Sequence, residues 1–290
     1  MIWGLFKKVV VADRLAYFVN QVYGNVHDYH GLALIVATVL FSFQIFCDFS
    51  GYSDIARGTA QVLGFKLMVN FNRPYFSKSV SEFWKRWHIS FSSWFRDYIY
   101  APLGGNRKGR MLWYINLLIV FFISGLWHGA NWTFILWAAI NGFYLLFSIW
   151  TVKVRCRLVQ AIGLDRMPQL HSGIKVGITF LLISFAWIFF RANNLSDAFY
   201  IVTHLFQGLY DPDMVHQVVY GFGFGRQSIL LALASIVLLE SVHLIQRYKS
   251  IQFILSRKPA YLRFSIYMAM ILGILTFGDF STRQFIYFQF

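Results

Sequence analysis

Six long apolar segments decide what this chain can fold into. They cover about residues 31–49, 111–126, 131–150, 173–190, 227–244 and 264–279. A helix needs about 20 residues to cross a bilayer. The hydrocarbon core of the bilayer admits only helices and closed barrels. With 58% hydrophobic and 13% charged residues, the 290-residue chain has more apolar surface than a water-soluble domain could bury. We therefore expect an all-α, polytopic membrane protein in which residues 1–290 form a single integral domain.

The charged residues predict how the chain is oriented. The formal net charge of +14 comes from lysines and arginines that are concentrated in the loops 50–110, 151–172 and 245–263. The loop 191–226 instead holds three aspartates against two arginines. Basic loops stay on the cytoplasmic side of a membrane, which predicts that 50–110 lies inside and 191–226 outside. Since this orientation signal explains the positive charge, we expect no nucleic-acid partner.

The feature that indicates chemistry is the polar interruption between the second and third apolar segments. It reads Gly125-Leu126-Trp127-His128-Gly129-Ala130-Asn131. An ionisable ring is costly at membrane depth, so a histidine there indicates a functional site. A neutral imidazole can take a proton from an alcohol and return it to a leaving group. A structural alternative stays open, in which His128 bonds to neighbouring backbone and locks a kink at Gly125 or Gly129.

Residues 79–100 form a second candidate segment. Ser79 and Glu82 match the S-x-x-E capping box, which predicts that a helix begins there. If that helix continues to residue 100, one face is aromatic and the other cationic. The aromatic face comprises Trp84, Trp87, His88, Phe91, Trp94, Phe95 and Tyr98. Such a helix is typical of the headgroup region or of a position under a membrane domain, and His88 at the edge of the aromatic face is a second candidate for chemistry.

Other motifs point to structure or to the absence of a metal. Asp48 and Asp54 lie at the end of the first apolar segment, where charges need partners, and Arg57 is a candidate for a structural salt link. Cys47 and Cys156 cannot form a cysteine metal cluster by themselves. The chain contains no P-loop, G-x-S-x-G or H-E-x-x-H motif. We therefore expect no metal ion and no bound cofactor.

Five motifs together resemble the membrane-bound O-acyltransferase (MBOAT) family, in its bacterial polysaccharide branch. They are DFSGYSDIA at 48–56, NFNRPY at 70–75, FWKRWHIS at 83–90, FRDYIYAPLGG at 95–105 and GLWHGANW at 125–132. The resemblance implies a helical bundle around a tunnel, with interfacial amphipathic helices, in the bacterial cytoplasmic (inner) membrane. It places the two histidines of the family at His128 and His88. It also implies that family members have further spans before 4–8, so we expect this chain to match the C-terminal part of the usual family length.

The resemblance implies a membrane O-acyltransferase that passes an acetyl group from a cytoplasmic thioester to an exported or cell-wall polysaccharide, as in alginate biosynthesis. The implied donor substrate is acetyl-CoA, and the implied partners are the lipid bilayer, acyl-CoA, an extracytoplasmic acetyltransferase and the polysaccharide. His128 and His88 would be catalytic. The candidates for the substrate tunnel are Trp84, Trp87, Trp127 and Asn131.

Basic residues on the predicted cytoplasmic side offer charge-assisted hydrogen bonds to the phosphates of CoA. These candidates are Arg86, Arg96, Arg107 and Lys108. Two alternatives to the enzyme stay open. One is a transporter or channel subunit whose histidines belong to a proton or solute pathway. The other is an inactive, truncated scaffold that docks a secreted acetyltransferase.

Overall fold

The computed structural model describes residues 1–280 and 285–286, apart from the side chain at position 252. These described residues contain α-helices and no strand. In chain order the helices are α1 (Ile2–Leu5), α2 (Asp13–Gly24), α3 (Leu32–Val62), α4 (Val80–Arg86), α5 (Ile89–Phe95), α6 (Arg110–His128), α7 (Trp132–Trp150), α8 (Val152–Ala161), α9 (Pro168–Arg191), α10 (Leu195–His204), α11 (Pro212–Val219), α12 (Arg226–Gln246), α13 (Ile251–Ser256) and α14 (Ala260–Phe277). Stretches of π-helix, Phe6–Ala12 and Arg96–Tyr100, follow α1 and α5.

Six of the described helices are long and apolar enough to cross a membrane, namely α3, α6, α7, α9, α12 and α14. Each of them overlaps one of the six predicted segments, which confirms the prediction of an all-α polytopic membrane protein. The largest difference in boundaries is at α3, which continues to Val62 instead of ending near residue 49. The predicted orientation relative to the cytoplasm stays a prediction.

The chain forms two compact units. One consists of Met1–Met68 with Phe199–Phe290, and the other of Val69–Ala198. Both candidate histidines and the candidate basic and tunnel residues belong to the second unit. The prediction of one integral domain over residues 1–290 stays a prediction.

In the first unit, buried ion pairs explain why α3 can continue through polar positions. The Lys8 ammonium lies 2.8 Å from an Asp13 oxygen and 2.5 Å from an Asp48 oxygen. The ammonium of Lys7 lies 2.8 Å from an Asp54 oxygen. Arg57 approaches Asp54 to 3.6 Å, so the predicted salt link is present. The shorter contacts, however, come from the two lysines, which neutralise the buried Asp48 and the part-exposed Asp54 of α3.

In the second unit, α6 and α7 form a closely packed antiparallel pair, and α7 also packs against α9. The closest approach is at Gly125 of α6. A methyl group at this position would lie 2.8 Å from the Cβ of Ala138 and 2.8 Å from the carbonyl oxygen of Phe134, both on α7. A glycine is therefore needed for the two helices to come together one turn before the end of α6.

The helix predicted from Ser79 begins as expected. The Ser79 hydroxyl accepts a hydrogen bond from the Glu82 backbone N–H at 3.1 Å, and the Glu82 carboxylate accepts one from the Lys78 backbone N–H at 2.7 Å. These contacts confirm the N-terminal capping that the S-x-x-E pattern predicts.

The continuation of that helix to residue 100 is wrong. Helix α4 ends at Arg86, and His88 has left-handed backbone angles (φ 43°, ψ 57°) before α5 begins. The aromatic residues consequently do not share one face, because Trp87 is 1% exposed while Trp94 and Tyr98 are 52% and 68% exposed. Helix α4 packs against both α7 and α9, so the segment lies against membrane-spanning helices.

We expect Gly125→Ala to destabilise the protein by about 1–3 kcal/mol, because the added methyl group must push α6 away from α7. The matched control is Gly177→Ala in α9, where an added methyl group would meet no atom within 4 Å. Alanine is the better helix former, so this control should melt at or above the wild-type temperature. Thermal unfolding in detergent measures both variants. Equal melting temperatures for the two variants would contradict the packing described for α6 and α7.

Candidate active site

His128 is the last residue of α6, and its ring is enclosed by aromatic side chains. The helix ends here because Gly129 has φ 149°, a backbone angle that L side chains rarely adopt. His128 is only 7% exposed. Its ring meets Trp137 of α7 and Phe190 of α9 edge-on, with centroids 5.2 and 5.0 Å apart. The spans α6, α7 and α9 thus hold the imidazole in an apolar, water-poor setting.

His88 is placed by a hydrogen-bonded pairing between two distant stretches of chain. The carbonyl oxygen of Asn70 accepts from the Ile89 backbone N–H at 3.0 Å. The side-chain oxygen of Asn70 accepts from the Ser90 backbone N–H at 3.0 Å. A left-handed conformation costs a non-glycine residue about 1–3 kcal/mol and persists only where its surroundings hold it. The contacts from Asn70 supply that restraint directly after His88, at the first two residues of α5.

The two histidines share an aromatic neighbour. The His88 ring stacks on Phe91 with centroids 4.9 Å apart, and the Phe91 ring lies 6.1 Å from the ring of His128. Burial lowers the pKa of His88 to about 4, so that its imidazole is uncharged near neutral pH. The structure therefore brings both predicted catalytic residues to one aromatic cluster, which consists of Phe91, Trp127, Trp137 and Phe190.

A cavity of about 230 Å³ lies next to this cluster within the second unit. It is lined by Ser81, Trp84, Lys85, Phe91, Ser92, Phe95, Arg96, Tyr100, Leu117, Val120, Phe121, Ser124 and Leu145. Neither histidine is part of this lining. Ser124 lies one helical turn before His128, and Phe91 contacts both histidine rings, so the cavity reaches the residues that surround the imidazoles.

Of the predicted tunnel residues, Trp84 and Trp127 lie beside the histidines or the cavity. Trp84 lines the cavity, and its ring lies 5.7 Å from Trp137, which in turn contacts His128. Trp127 is 56% exposed, and its ring contacts Phe91 at 4.7 Å.

The other two predicted tunnel residues, Trp87 and Asn131, do not line the cavity but make packing or hydrogen-bond contacts within the protein. Trp87 is 1% exposed, packs against Phe83 and Trp187, and is not part of the cavity lining. The Asn131 side chain caps α7 by accepting from the Thr133 backbone N–H at 3.0 Å. Its amide nitrogen donates to a backbone carbonyl oxygen at 3.0 Å, so both ends of the side chain are engaged.

The basic residues predicted to contact phosphate differ in whether a carboxylate of the protein already pairs with their charge. Arg86 forms an ion pair with Glu82 at 2.5 Å, four residues earlier on α4. Arg96 lines the cavity, but its guanidinium is bound to Asp97 at 2.8 Å. Arg107 and Lys108 are exposed in the loop before α6.

Several residues of the site were not predicted from the sequence. The cavity lining adds Lys85, Tyr100 and Ser124, and the support of His88 adds Asn70 and Ser90. All except Ser124 fall inside the five motifs that carry the family resemblance. The local sequence pattern does not indicate that Asn70 hydrogen-bonds to Ser90, because twenty positions separate the two residues.

Comparison with known proteins identifies relatives across most of the chain. The model of MBOAT, the membrane-bound O-acyltransferase family, matches residues 1–192. The probable alginate O-acetylase AlgI of Pseudomonas putida is 44% identical over 192 residues, which are 66% of this chain and 37% of that protein. The peptidoglycan O-acetyltransferase of Helicobacter pylori is 34% identical over 265 residues, covering 84% of this chain and 48% of that protein.

A more distant relative is the teichoic acid D-alanyltransferase of Streptococcus thermophilus, 28% identical over 167 residues that cover 52% of this chain and 39% of that protein. The chain thus spans less than half the length of the curated relatives named here. Residues 1–192 include His88, His128 and every residue of the cavity lining. The chain belongs to the membrane-bound O-acyltransferase family.

Proposed function

We propose that this chain carries the catalytic histidines of a membrane O-acetyltransferase that modifies an exported or cell-wall polysaccharide. The observation that supports this most strongly is the meeting of His88 and His128 at Phe91, beside a cavity in the same compact unit. The alginate and peptidoglycan names of the relatives favour an acetyl group and a polysaccharide acceptor. Family membership also favours an acyltransferase over a transporter or channel subunit.

The proposed donor is the thioester acetyl-CoA, bound as a substrate from the cytoplasmic side. Pockets for drug-sized ligands are about 300–1,000 Å³, so a cavity of about 230 Å³ accommodates the slender thioester arm but not the nucleotide. The phosphates would then stay outside, where Arg107 and Lys108 are exposed. Lys85 in the cavity wall is a further candidate contact, whereas the charge of Arg86 is already matched by Glu82.

The proposed reaction needs one neutral imidazole near the thioester carbonyl. His128 takes the proton of an acceptor hydroxyl while the hydroxyl oxygen attacks the carbonyl carbon. The carbon–sulfur bond then breaks, and the thiolate leaves as a thiol with the proton that the imidazolium returns. His128 could equally carry the acetyl group itself between two such steps. In both versions the enclosing rings of Trp137 and Phe190 exclude water, which protects the thioester from hydrolysis.

The acceptor hydroxyl belongs either to the polysaccharide or to an extracytoplasmic acetyltransferase that completes delivery. We propose the second route, because the polymer is too large for the described cavity and a protein side chain can present a single hydroxyl. The predicted outward position of the α6–α7 connection after His128 agrees with such a handover.

We expect His128→Ala to lower acetyl transfer by about 10²–10⁴-fold, because it removes the general base while leaving the α6–α7 packing at Gly125 intact. The measurement follows labelled acetyl groups into polymer in membranes from a strain without another copy of the protein. His216→Ala is the matched control, since His216 is exposed and outside the second unit. Full acetylation by His128→Ala, with the protein inserted at wild-type amounts, would contradict the catalytic role.

We expect Ser124→Phe to block the end of the cavity nearest His128 and to reduce acetyl transfer at least tenfold, because the ring occupies space that the acetyl group needs. Ile115→Phe adds a ring to the same helix at a position that is 41% exposed and outside the lining, and it should leave transfer unchanged. Initial rates against acetyl-CoA concentration measure both variants. If Ser124→Phe and Ile115→Phe have equal rates, the cavity is not the donor site.

A further inference from the structure

The donor and the acceptor of each hydrogen bond that links Asn70, Ser90 and His88 can be assigned in only one consistent way. The Ser90 backbone N–H lies 3.0 Å from the terminal atom of the Asn70 side chain that is assigned as oxygen. A backbone N–H can only donate, so this atom must be the carbonyl oxygen and not the amide nitrogen. The orientation of the Asn70 amide is thereby fixed by chemistry.

The same oxygen determines where the hydroxyl hydrogen of Ser90 points. The Ser90 Oγ lies 2.6 Å from the Asn70 Oδ1, and a carbonyl oxygen can only accept. The single hydrogen of the hydroxyl is therefore donated to Asn70. What the Ser90 Oγ can offer to any other group is a lone pair.

The lone pair of Ser90 faces a nitrogen of His88. The His88 Nδ1 lies 3.4 Å from the Ser90 Oγ, a long contact in which the hydroxyl can only accept. The favourable arrangement thus has the hydrogen on Nδ1. Since burial keeps His88 uncharged near neutral pH, the ring carries only one hydrogen, and Nε2 then has none.

We propose that Asn70 and Ser90 are positioning residues that hold neutral His88 in the tautomer with hydrogen on Nδ1, which makes Nε2 its proton-accepting atom. Asn70 also ties down the backbone directly after the left-handed His88, by accepting from the Ile89 and Ser90 N–H groups. One pair of side chains therefore sets both the place and the hydrogen-bonding polarity of the ring.

The catalytic meaning of this tautomer rests on the proposed function. An Nε2 without hydrogen can accept a hydrogen bond from the acceptor hydroxyl and so orient the group that gives up the proton. A ring with the opposite tautomer would present an N–H there and could not accept. The pairing of Asn70 with Ser90 would thus affect turnover more than donor binding.

Solid-state ¹⁵N NMR of histidine-labelled protein in lipid bilayers tests the tautomer without turnover. The signals of His88 are assigned as those that disappear in the spectrum of the His88→Gln variant. We expect the wild-type ring to show a protonated Nδ1 and an unprotonated Nε2. Ser90→Ala removes the accepting hydroxyl, and Asn70→Ala frees the Ser90 hydrogen to be donated to Nδ1, so both variants should move the hydrogen to Nε2.

Conservative variants separate this role from a general effect on folding. Ser90→Thr keeps the hydroxyl and Asn70→Asp keeps an accepting oxygen, so both should retain the hydrogen on Nδ1. The His128 signals should stay in place in all four variants, which reports that the aromatic cluster is intact. A wild-type ring with hydrogen on Nε2, or a tautomer unchanged in both alanine variants, would overturn the inference.

Kinetics then distinguish the inference from the proposed function. We expect Ser90→Ala to lower kcat for acetyl transfer by at least about tenfold with little change in the KM for acetyl-CoA, and Ser90→Thr to restore it. If the tautomer moves as expected while His88→Gln keeps full activity, the positioning by Asn70 and Ser90 is supported and the catalytic role of His88 is overturned.

Discussion

A polar group that is held away from water needs a partner inside the protein, and both compact units are organised around this constraint. In the first unit, Lys8 lies between Asp13 and Asp48, so three buried charges satisfy one another while α3 continues. In the second unit, Asn70 and Ser90 satisfy each other and limit how His88 can hydrogen-bond. The same constraint therefore supports a long helix in one unit and the placement of a candidate catalytic ring in the other.

The position of His128 follows from helix packing. Gly125 lets α6 approach α7 closely, and Gly129 ends α6 where the neighbouring spans present Trp137 and Phe190. An imidazole enclosed by aromatic rings is shielded from water, yet Ser124 in the cavity wall is only one helical turn away. His88 reaches the same cluster by a different route, through the pairing of Asn70 with the first residues of α5. The two histidine rings thus meet at Phe91, as the proposed two-histidine acyl-transfer site needs.

Local patterns allowed much of this to be predicted from the sequence. Hydropathy located the six spans, the S-x-x-E pattern located the start of α4, and the interruption at His128 marked a ring that the structure encloses in aromatic side chains. The break at His88 could not be predicted, because it depends on Asn70, twenty residues away. The partner of Asp48 was missed for the same reason, since Lys8 is forty residues distant. The ion pair of Glu82 with Arg86 is different, because its i, i+4 spacing could be recognised in the sequence.

The most direct test is a structure of the protein in lipid nanodiscs with a non-hydrolysable thioether analogue of acetyl-CoA. We expect the thioether arm to occupy the cavity beside Trp84 and Ser124, with the carbon that replaces the acetyl carbonyl at the end nearest the two histidines. A reacting hydroxyl placed between that carbon and an imidazole nitrogen needs separations of about 3–3.5 Å on each side. An analogue bound outside the cavity, or with its acetyl end turned away from His88 and His128, would contradict a histidine-based acetyl transfer at this site.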